Sequence, residues 1–329
     1  MKIFTCLLLL VGIGGWSGAP ATATEFKILV VMSYEEHNPW VQEIREGIES
    51  VLGAVSELTY FYMNTKVDPA GGRHQAEAAY ALYHKLQPHG VIVADDDAQA
   101  LFVVPFLKNQ VSTPIMFNGV NAHAAHYGFP AANVSGILER AHVRESLAFI
   151  KQLVPAIQTA CVIANDIPAG VALRVQVEAE HGSYPVKLQA VHLVQSVRGL
   201  EALAQTVRTT CDTIFTDSLE GIVDSDAHPL TGGEVLNVLR TLYPGPILGG
   251  NRYLVEQGAW AAVVKTGQEQ GETSAEMLLQ AMRGRPVAEM PIQSNTRGQR
   301  VINLTALESH GIVPRPIILK GATLVRQHP

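Results

Sequence analysis

Charged residues are scarce in this sequence, and the basic ones form no runs. Asp, Glu, Lys and Arg make up 16% of the chain, hydrophobic residues make up 47%, and the formal net charge at pH 7 is −6. Without a cluster of lysine and arginine, the chain has nothing that could follow a phosphate backbone. Nucleic acid and anionic membrane surfaces are therefore not expected partners. The composition is typical of a well-packed globular protein and argues against disorder.

Apolar segments of membrane-spanning length are also missing. The longest candidate is at the N-terminus, where Lys2 is followed by an apolar region at 4–13 and by Ala21-Thr22-Ala23, which fits a signal peptidase site. This apolar region is too short to form a spanning helix. We expect residues 1–23 to be a secretory signal peptide that is cleaved after Ala23, leaving a periplasmic protein. An uncleaved N-terminal anchor is the alternative.

Cysteine is rare as well, with three residues in the chain. Cys6 falls inside the predicted signal peptide, so the mature protein keeps Cys161 and Cys211. An exported protein folds in an oxidising compartment, which permits a disulfide between them. The alternative is that they are two small, buried, apolar side chains.

Motifs of the common enzyme classes are absent. The sequence contains no G-x-S-x-G, no H-E-x-x-H and no G-x-x-x-x-G-K-[ST]. Asp95, Asp96 and Asp97 are adjacent in sequence and lack the spacing of a calcium-binding loop. His123 and His126 have no Cys or carboxylate partner at metal-ligand spacing. We therefore expect no catalysis, no metal and no cofactor.

Apolar segments of strand length alternate with segments of helical periodicity. The segments 27–32 (KILVVM) and 90–94 (GVIVA) are typical of buried strands, and Val41, Ile44 and Ile48 share one face of a helix. The alternation starts again near residue 143, which gives a second series. Buried strands joined by helices favour a parallel sheet covered on both faces. The predicted fold class is α/β, with two flavodoxin-like lobes, each a doubly wound parallel sheet, joined by a hinge and separated by a ligand cleft.

The restart of the pattern also predicts the domain limits. We assign 24–135 to the N-terminal lobe and 136–260 to the C-terminal lobe. The tail fits neither series simply, and we expect its parts at about 262–290 and 305–329 to join the N-terminal lobe. Hinge crossings are then expected near 133–137, 258–265 and 290–300.

Polar residues follow most of the predicted strands. In an open parallel sheet, the carboxyl ends of the strands meet at one edge, where ligands usually bind. The first predicted strand is followed by Ser33 and Tyr34, and the third by Asp95 to Asp97. Ser, Asp and Asn before a helix are also common N-caps, so each of these positions has a structural alternative. Several such loops at one edge favour a binding cleft.

Several segments resemble the ABC-type periplasmic substrate-binding family that includes tryptophan and tyrosine binders. They are 133–137 (NVSGI), 149–155 (FIKQLVP), 246–259 (PILGGNRYLVEQGA) and 301–307 (VINLTAL). The resemblance implies two lobes that close on a small organic ligand. Carried over by position, it implies a set of ligand contacts: Ser33, Tyr34, Asp95, Asn118, Asn165, Asp217 and Asn251.

Two segments depart from that family's pattern. The first loop, at 33–40 (SYEEHNPW), is unlike that of the amino-acid binders, and Val264-Lys265-Thr266-Gly267 replaces a turn that more often contains tyrosine. We expect a monomeric solute-binding protein that delivers a small polar or amino-bearing molecule, such as an amino acid, to the permease of an ABC transporter. The alternative is a periplasmic sensor that presents its closed form to a membrane signalling partner.

Overall fold

The computed structural model describes residues 25–217 and 219–326. The predicted signal peptide at 1–23 lies outside the described residues. Among the helices of the described segments, none is both long enough and apolar enough to cross a bilayer.

The inner strands of the two sheets are short and largely apolar and buried, whereas edge strands are only partly buried. The third strand, for example, consists of five buried residues, because helices cover both faces of its sheet. In chain order the strands are β1 (Phe26–Met32), β2 (Ser56–Tyr62), β3 (Gly90–Ala94), β4 (Ile115–Val120), β5 (Val134–Leu138), β6 (Thr159–Asn165), β7 (Lys187–Val194), β8 (Thr213–Thr216), β9 (Ile247–Gly249), β10 (Ala261–Val264), β11 (Gln293–Ser294), β12 (Gln299–Asn303) and β13 (Thr323–Val325).

The helices are amphipathic and several begin at a side-chain cap. Asn38, for example, accepts a hydrogen bond from the Trp40 amide at the start of the first helix. The α-helices are α1 (Pro39–Leu52), α2 (Gly72–Leu86), α3 (Asp95–Ala98), α4 (Val143–Leu153), α5 (Pro168–Glu180), α6 (Val197–Thr210), α7 (Gly232–Leu242), α8 (Arg252–Glu256), α9 (Gly267–Met282), α10 (Leu304–Ser309) and α11 (Pro316–Leu319). A π-helix (Gln99–Leu107) continues α3, and 3₁₀ turns occupy Ala124–Tyr127, His181–Ser183 and Val287–Glu289.

Each lobe is built on one sheet. The first sheet has the order β11-β5-β4-β3-β1-β2, and the second has the order β13-β12-β10-β9-β8-β6-β7. Within each lobe the first five strands take the 2-1-3-4-5 order of a flavodoxin-like fold. The pairing is parallel throughout except between β10 and β12. The predicted fold class of two doubly wound α/β lobes is confirmed.

The chain crosses between the sheets at three places, and these differ in detail from the predicted ones. The segment expected as the first crossing, 133–137, largely forms β5 of the first sheet, and the chain crosses after Leu138. The second crossing lies between β10 and α9. The third lies between β11, which pairs with β5, and β12, which pairs with β10.

The tail is divided differently from the prediction. Helix α9 packs against α1 of the first lobe, as expected. Gly47 of α1 and Gly271 of α9 allow the two helix backbones to come into contact, because a Cβ atom on Gly271 would lie only 2.1 Å from the Ile44 carbonyl oxygen and would clash with it. The assignment of 305–329 to the N-terminal lobe is wrong for the described part of that segment. Strand β13 pairs with β12 in the second sheet, and Leu307 and Ile318 are buried in the core of the second lobe.

Cys161 and Cys211 form a disulfide, with their Cα atoms 5.7 Å apart. Cys161 lies in β6, and Cys211 follows α6 directly before β8, which is the neighbour of β6. Both cysteines are buried among apolar side chains of the second lobe. Cys211 lies at the amino end of β8, at the edge of the sheet opposite the strand ends that face the cleft.

We expect reduction of this disulfide to destabilise the protein without changing ligand affinity. The disulfide closes a loop with a sequence separation of 50, so its loss should lower the free energy of unfolding by about 2–4 kcal/mol. Urea unfolding with and without a reducing agent measures this difference. Two free thiols in the denatured, unreduced protein would contradict the pairing.

Candidate ligand-binding cleft

A buried ion group connects the two lobes at the carboxyl ends of their strands. The Lys265 Nζ lies 2.9 Å from Glu139 Oε1 and 3.3 Å from Asp217 Oδ2. Glu139 follows β5 of the first sheet, Asp217 follows β8 of the second, and Lys265 follows β10 at the second crossing. The three side chains are only 8–13% exposed. One ammonium thus joins a carboxylate of each lobe, and we call Glu139, Asp217 and Lys265 the bridging trio.

The electrostatics of the bridging trio favour a charged lysine. Burial opposes the charge of Lys265, but Asp217 and Glu139 outweigh burial and hold the lysine pKa above its ordinary value. The carboxylates have further partners: Asn121 Nδ2 donates to Glu139 Oε2 at 3.2 Å, and Asn251 Nδ2 donates to Asp217 Oδ1. Every charge in the group is therefore paired, as a buried ion group requires.

The candidate wall of the cleft in the first lobe surrounds Asp95, which follows β3 directly at the carboxyl edge of the sheet. This residue is 2% exposed and has a left-handed backbone, with φ of 67°. Its Oδ1 accepts a hydrogen bond from Trp40 Nε1 at 2.9 Å, while its Oδ2 has no partner. Burial raises the carboxyl pKa of Asp95 well above its usual range, and Glu139 adds to the effect.

Tyr34 follows β1, the neighbour of β3, and lies close enough to Asp95 for the carboxylate charge to act on its phenol. Burial raises the phenol pKa of Tyr34, and the negative charges of Asp95 and Glu139 raise it further, so the hydroxyl stays protonated. The ammonium of Lys66, from the loop after β2, lies 4.2 Å from the centre of the Tyr34 ring. The wall therefore presents an aromatic face and a carboxyl group side by side.

The other predicted site residues have mainly structural contacts. The Ser33 hydroxyl donates to the Ala94 carbonyl at 2.7 Å and accepts from the Ala98 amide at 2.9 Å, so it joins the end of β3 to α3. Asn118 is fully buried in β4 and donates to Ser274 Oγ of α9 at 2.9 Å. Asn165 donates to the Glu220 carbonyl.

The predicted residues therefore divide into two groups. Tyr34 and Asp95 belong to one wall, and Asp217 and Asn251 belong to the bridging network. Ser33 and Asn165 lie at the expected strand ends, where their hydrogen bonds hold the loops in place, whereas Asn118 lies within β4 and its buried Oδ1 has no partner.

Three charged residues of the cleft were missed from the sequence, namely Lys66, Glu139 and Lys265. Glu139 follows a strand that was interpreted as a loop, so its place at a strand end went unrecognised. Lys265 was noted only because it stands where related sequences more often carry tyrosine.

A second acidic group lies outside the cleft. The ligand atoms of Asp224, Asp226 and His228 lie within 4.8 Å of one another among the described residues. Asp224 Oδ1 accepts from the amides of Asp226 and His228 at 2.8 and 2.9 Å, so the carboxylate closes a surface turn. This turn accounts for the proximity of the three side chains.

We expect Lys265→Met to destabilise the protein strongly, because it leaves Glu139 and Asp217 buried without their shared cation. Loss of a partner from a buried ion group costs about 3–5 kcal/mol. Urea unfolding measures the loss. The matched control is the double variant Lys265→Met with Asp217→Asn, which removes one uncompensated charge and should recover part of the stability. Strictly additive effects of the two substitutions would contradict a coupled bridging trio.

Comparisons with known proteins agree with this architecture. The family model described as "ABC transporter substrate binding protein" matches residues 30–326. A ligand-free, open substrate binding protein with adhesive properties from Clostridium difficile has a TM-score of 0.69 at 14% identity, over 92% of this chain and 100% of that one. An ABC domain in complex with L-Trp from Streptococcus pneumonia has a TM-score of 0.59 at 18% identity, with the same coverage of both chains.

At these identities the two structures support the fold alone. The search of curated proteins gives no significant sequence match. The family model, in contrast, covers nearly all of the described residues. The chain therefore belongs to the ABC transporter substrate binding protein family, and its role is the binding of a solute.

Proposed function

We propose that this protein captures a small organic molecule in the periplasm, closes its two lobes over it, and delivers it to the permease of an ABC transporter. The protein acts as a monomer and catalyses no reaction on its ligand. The observation that carries the proposal is the bridging trio, in which side chains of both lobes meet at the carboxyl ends of their strands. Ligands of open α/β sheets bind at that edge.

The contacts between the three crossings support hinge closure. Asn295, in the third crossing, accepts from the Arg140 amide at 2.7 Å and donates to the Arg140 carbonyl at 3.0 Å. Glu269, at the start of α9, accepts from the amides of Thr296 and Arg297 at 2.7 and 2.9 Å. These bonds tie the crossings together, so that the lobes turn about one compact hinge.

The proposed ligand contacts are Tyr34 and Asp95 from the first lobe and Asp217 and Asn251 from the second. A ligand between these pairs touches both lobes at once, so its binding energy favours the closed form. We propose that Ser33, Asn118 and Asn165 support the site by fixing its loops.

We expect Asp95→Ala to weaken ligand binding more than folding, and Asp217→Ala to weaken both, because Asp217 is also a partner of Lys265. Removal of either carboxylate leaves a buried donor of the ligand without a partner, which costs about 1–3 kcal/mol and corresponds to a loss of about 5- to 150-fold in affinity. The test compound is the one released from the denatured wild-type protein and identified by mass spectrometry, and calorimetry measures its affinity.

The matched control is Glu57→Gln, which neutralises an exposed carboxylate near the amino end of β2, at the opposite edge of the sheet. Its affinity should equal that of the wild type. If both alanine variants keep full affinity while their melting temperatures fall, the two carboxylates stabilise the fold and are not ligand contacts.

A further inference from the structure

The face of the Tyr34 ring already holds a cation, supplied by the chain itself. The Lys66 ammonium lies 4.2 Å from the ring centre, within the range of a cation–π contact. Lys66 is exposed and belongs to the loop that follows β2. Its contact with the ring is therefore one that solvent and loop motion can readily break.

The carboxyl group next to this ring has an unused oxygen. Asp95 Oδ1 is held by Trp40, whereas Oδ2 is buried and has no partner. The neighbouring acidic groups differ in this respect. Asp96 accepts from the Asn121 amide and from the Tyr127 hydroxyl, and Asp97 accepts from the Thr65 hydroxyl. Asp95 is thus the member of its acidic run that has a buried oxygen without a partner.

The charges around this position favour a positive group. The negative charge of Glu139 acts on both Tyr34 and Asp95, and the positive charge of Lys66 acts on Asp95. Lys265 offsets only part of this negative charge, because its single ammonium is shared between the two carboxylates of Glu139 and Asp217. An aromatic face beside a carboxylate is the arrangement that proteins use to recognise ammonium groups.

We propose that the wall formed by Tyr34 and Asp95 binds the cationic group of the solute, at the position that the Lys66 ammonium fills in this structure. The solute class is an organic cation, such as a primary or quaternary amine. Lys66 competes with the solute for the ring and leaves when the solute enters. This inference rests on the proposed solute-binding function and specifies the chemistry of its ligand.

The test uses the mature full-length protein and tetramethylammonium chloride as a probe. Trp40 donates to Asp95, so its fluorescence reports on this wall, and a Trp40→Phe variant identifies its share of the signal. We expect a saturable fluorescence change with tetramethylammonium and none with sodium chloride at equal ionic strength. Tyr34→Leu should weaken binding of the probe by about tenfold, because a partly desolvated cation–π contact contributes about that factor to the affinity.

The exposed residue Lys66 provides a variant that leaves the core untouched. Lys66→Met removes the competing ammonium and should tighten binding of tetramethylammonium by about threefold, as expected for an exposed cation–π contact. The matched control is Lys85→Met, which removes an exposed lysine of α2 that has no ring contact. The inference is overturned if neither the wild type nor Lys66→Met shows a saturable change, or if the two lysine variants bind the probe equally.

The compound that copurifies with the protein separates this inference from the proposed function. Release of an organic cation that binds more weakly to Tyr34→Leu supports both. Release of a neutral or anionic compound whose affinity is unchanged in Tyr34→Leu overturns the cation site and leaves solute binding standing.

Discussion

One buried ammonium, held by a carboxylate from each lobe, is the interaction on which the geometry of the cleft depends. Glu139 and Asp217 lie 2.9 and 3.3 Å from the Lys265 ammonium, and together they hold the lysine pKa above its ordinary value despite burial. Those two carboxylates follow strands of different sheets, so the crossings must hold the two lobes in a fixed relative position for both to reach Lys265. The ion group therefore marks where the two lobes meet, because one ammonium binds a carboxylate of each lobe.

The fold was largely predictable because most strands carry a local signal. The segment 90–94 is apolar throughout and became β3 with the predicted limits. Strand β5 was missed because Ser135 and Gly136 make it resemble a loop; it forms through distant contacts, such as the hydrogen bond from the Ser135 hydroxyl to the Met290 carbonyl. The tail was misassigned because β13 has three residues, and nothing in so short a segment indicates which sheet it joins.

The tendency of ligands to bind at the carboxyl ends of parallel strands predicts where the cleft lies, but it does not predict the direction in which each side chain points. Asn118 was expected among the ligand contacts, but it lies within β4, which runs to Val120, and its amide is buried against α9. Ser33 lies at the predicted edge of the sheet, but its hydroxyl is used to join β3 to α3. The pairing of Lys265 with Glu139 joins residues far apart in sequence, which no local pattern reveals. What the structure adds to the sequence is therefore the set of partners of each polar group.

The central claim is that solute binding closes the two lobes about the hinge, across the cleft that the bridging trio spans. Small-angle X-ray scattering of the mature protein, with its bound compound removed by unfolding and refolding and then added back to saturation, tests this most directly. The account predicts a smaller radius of gyration in the saturated sample, together with a distance distribution that shifts to shorter inter-lobe distances. Identical scattering curves for the two samples would contradict it.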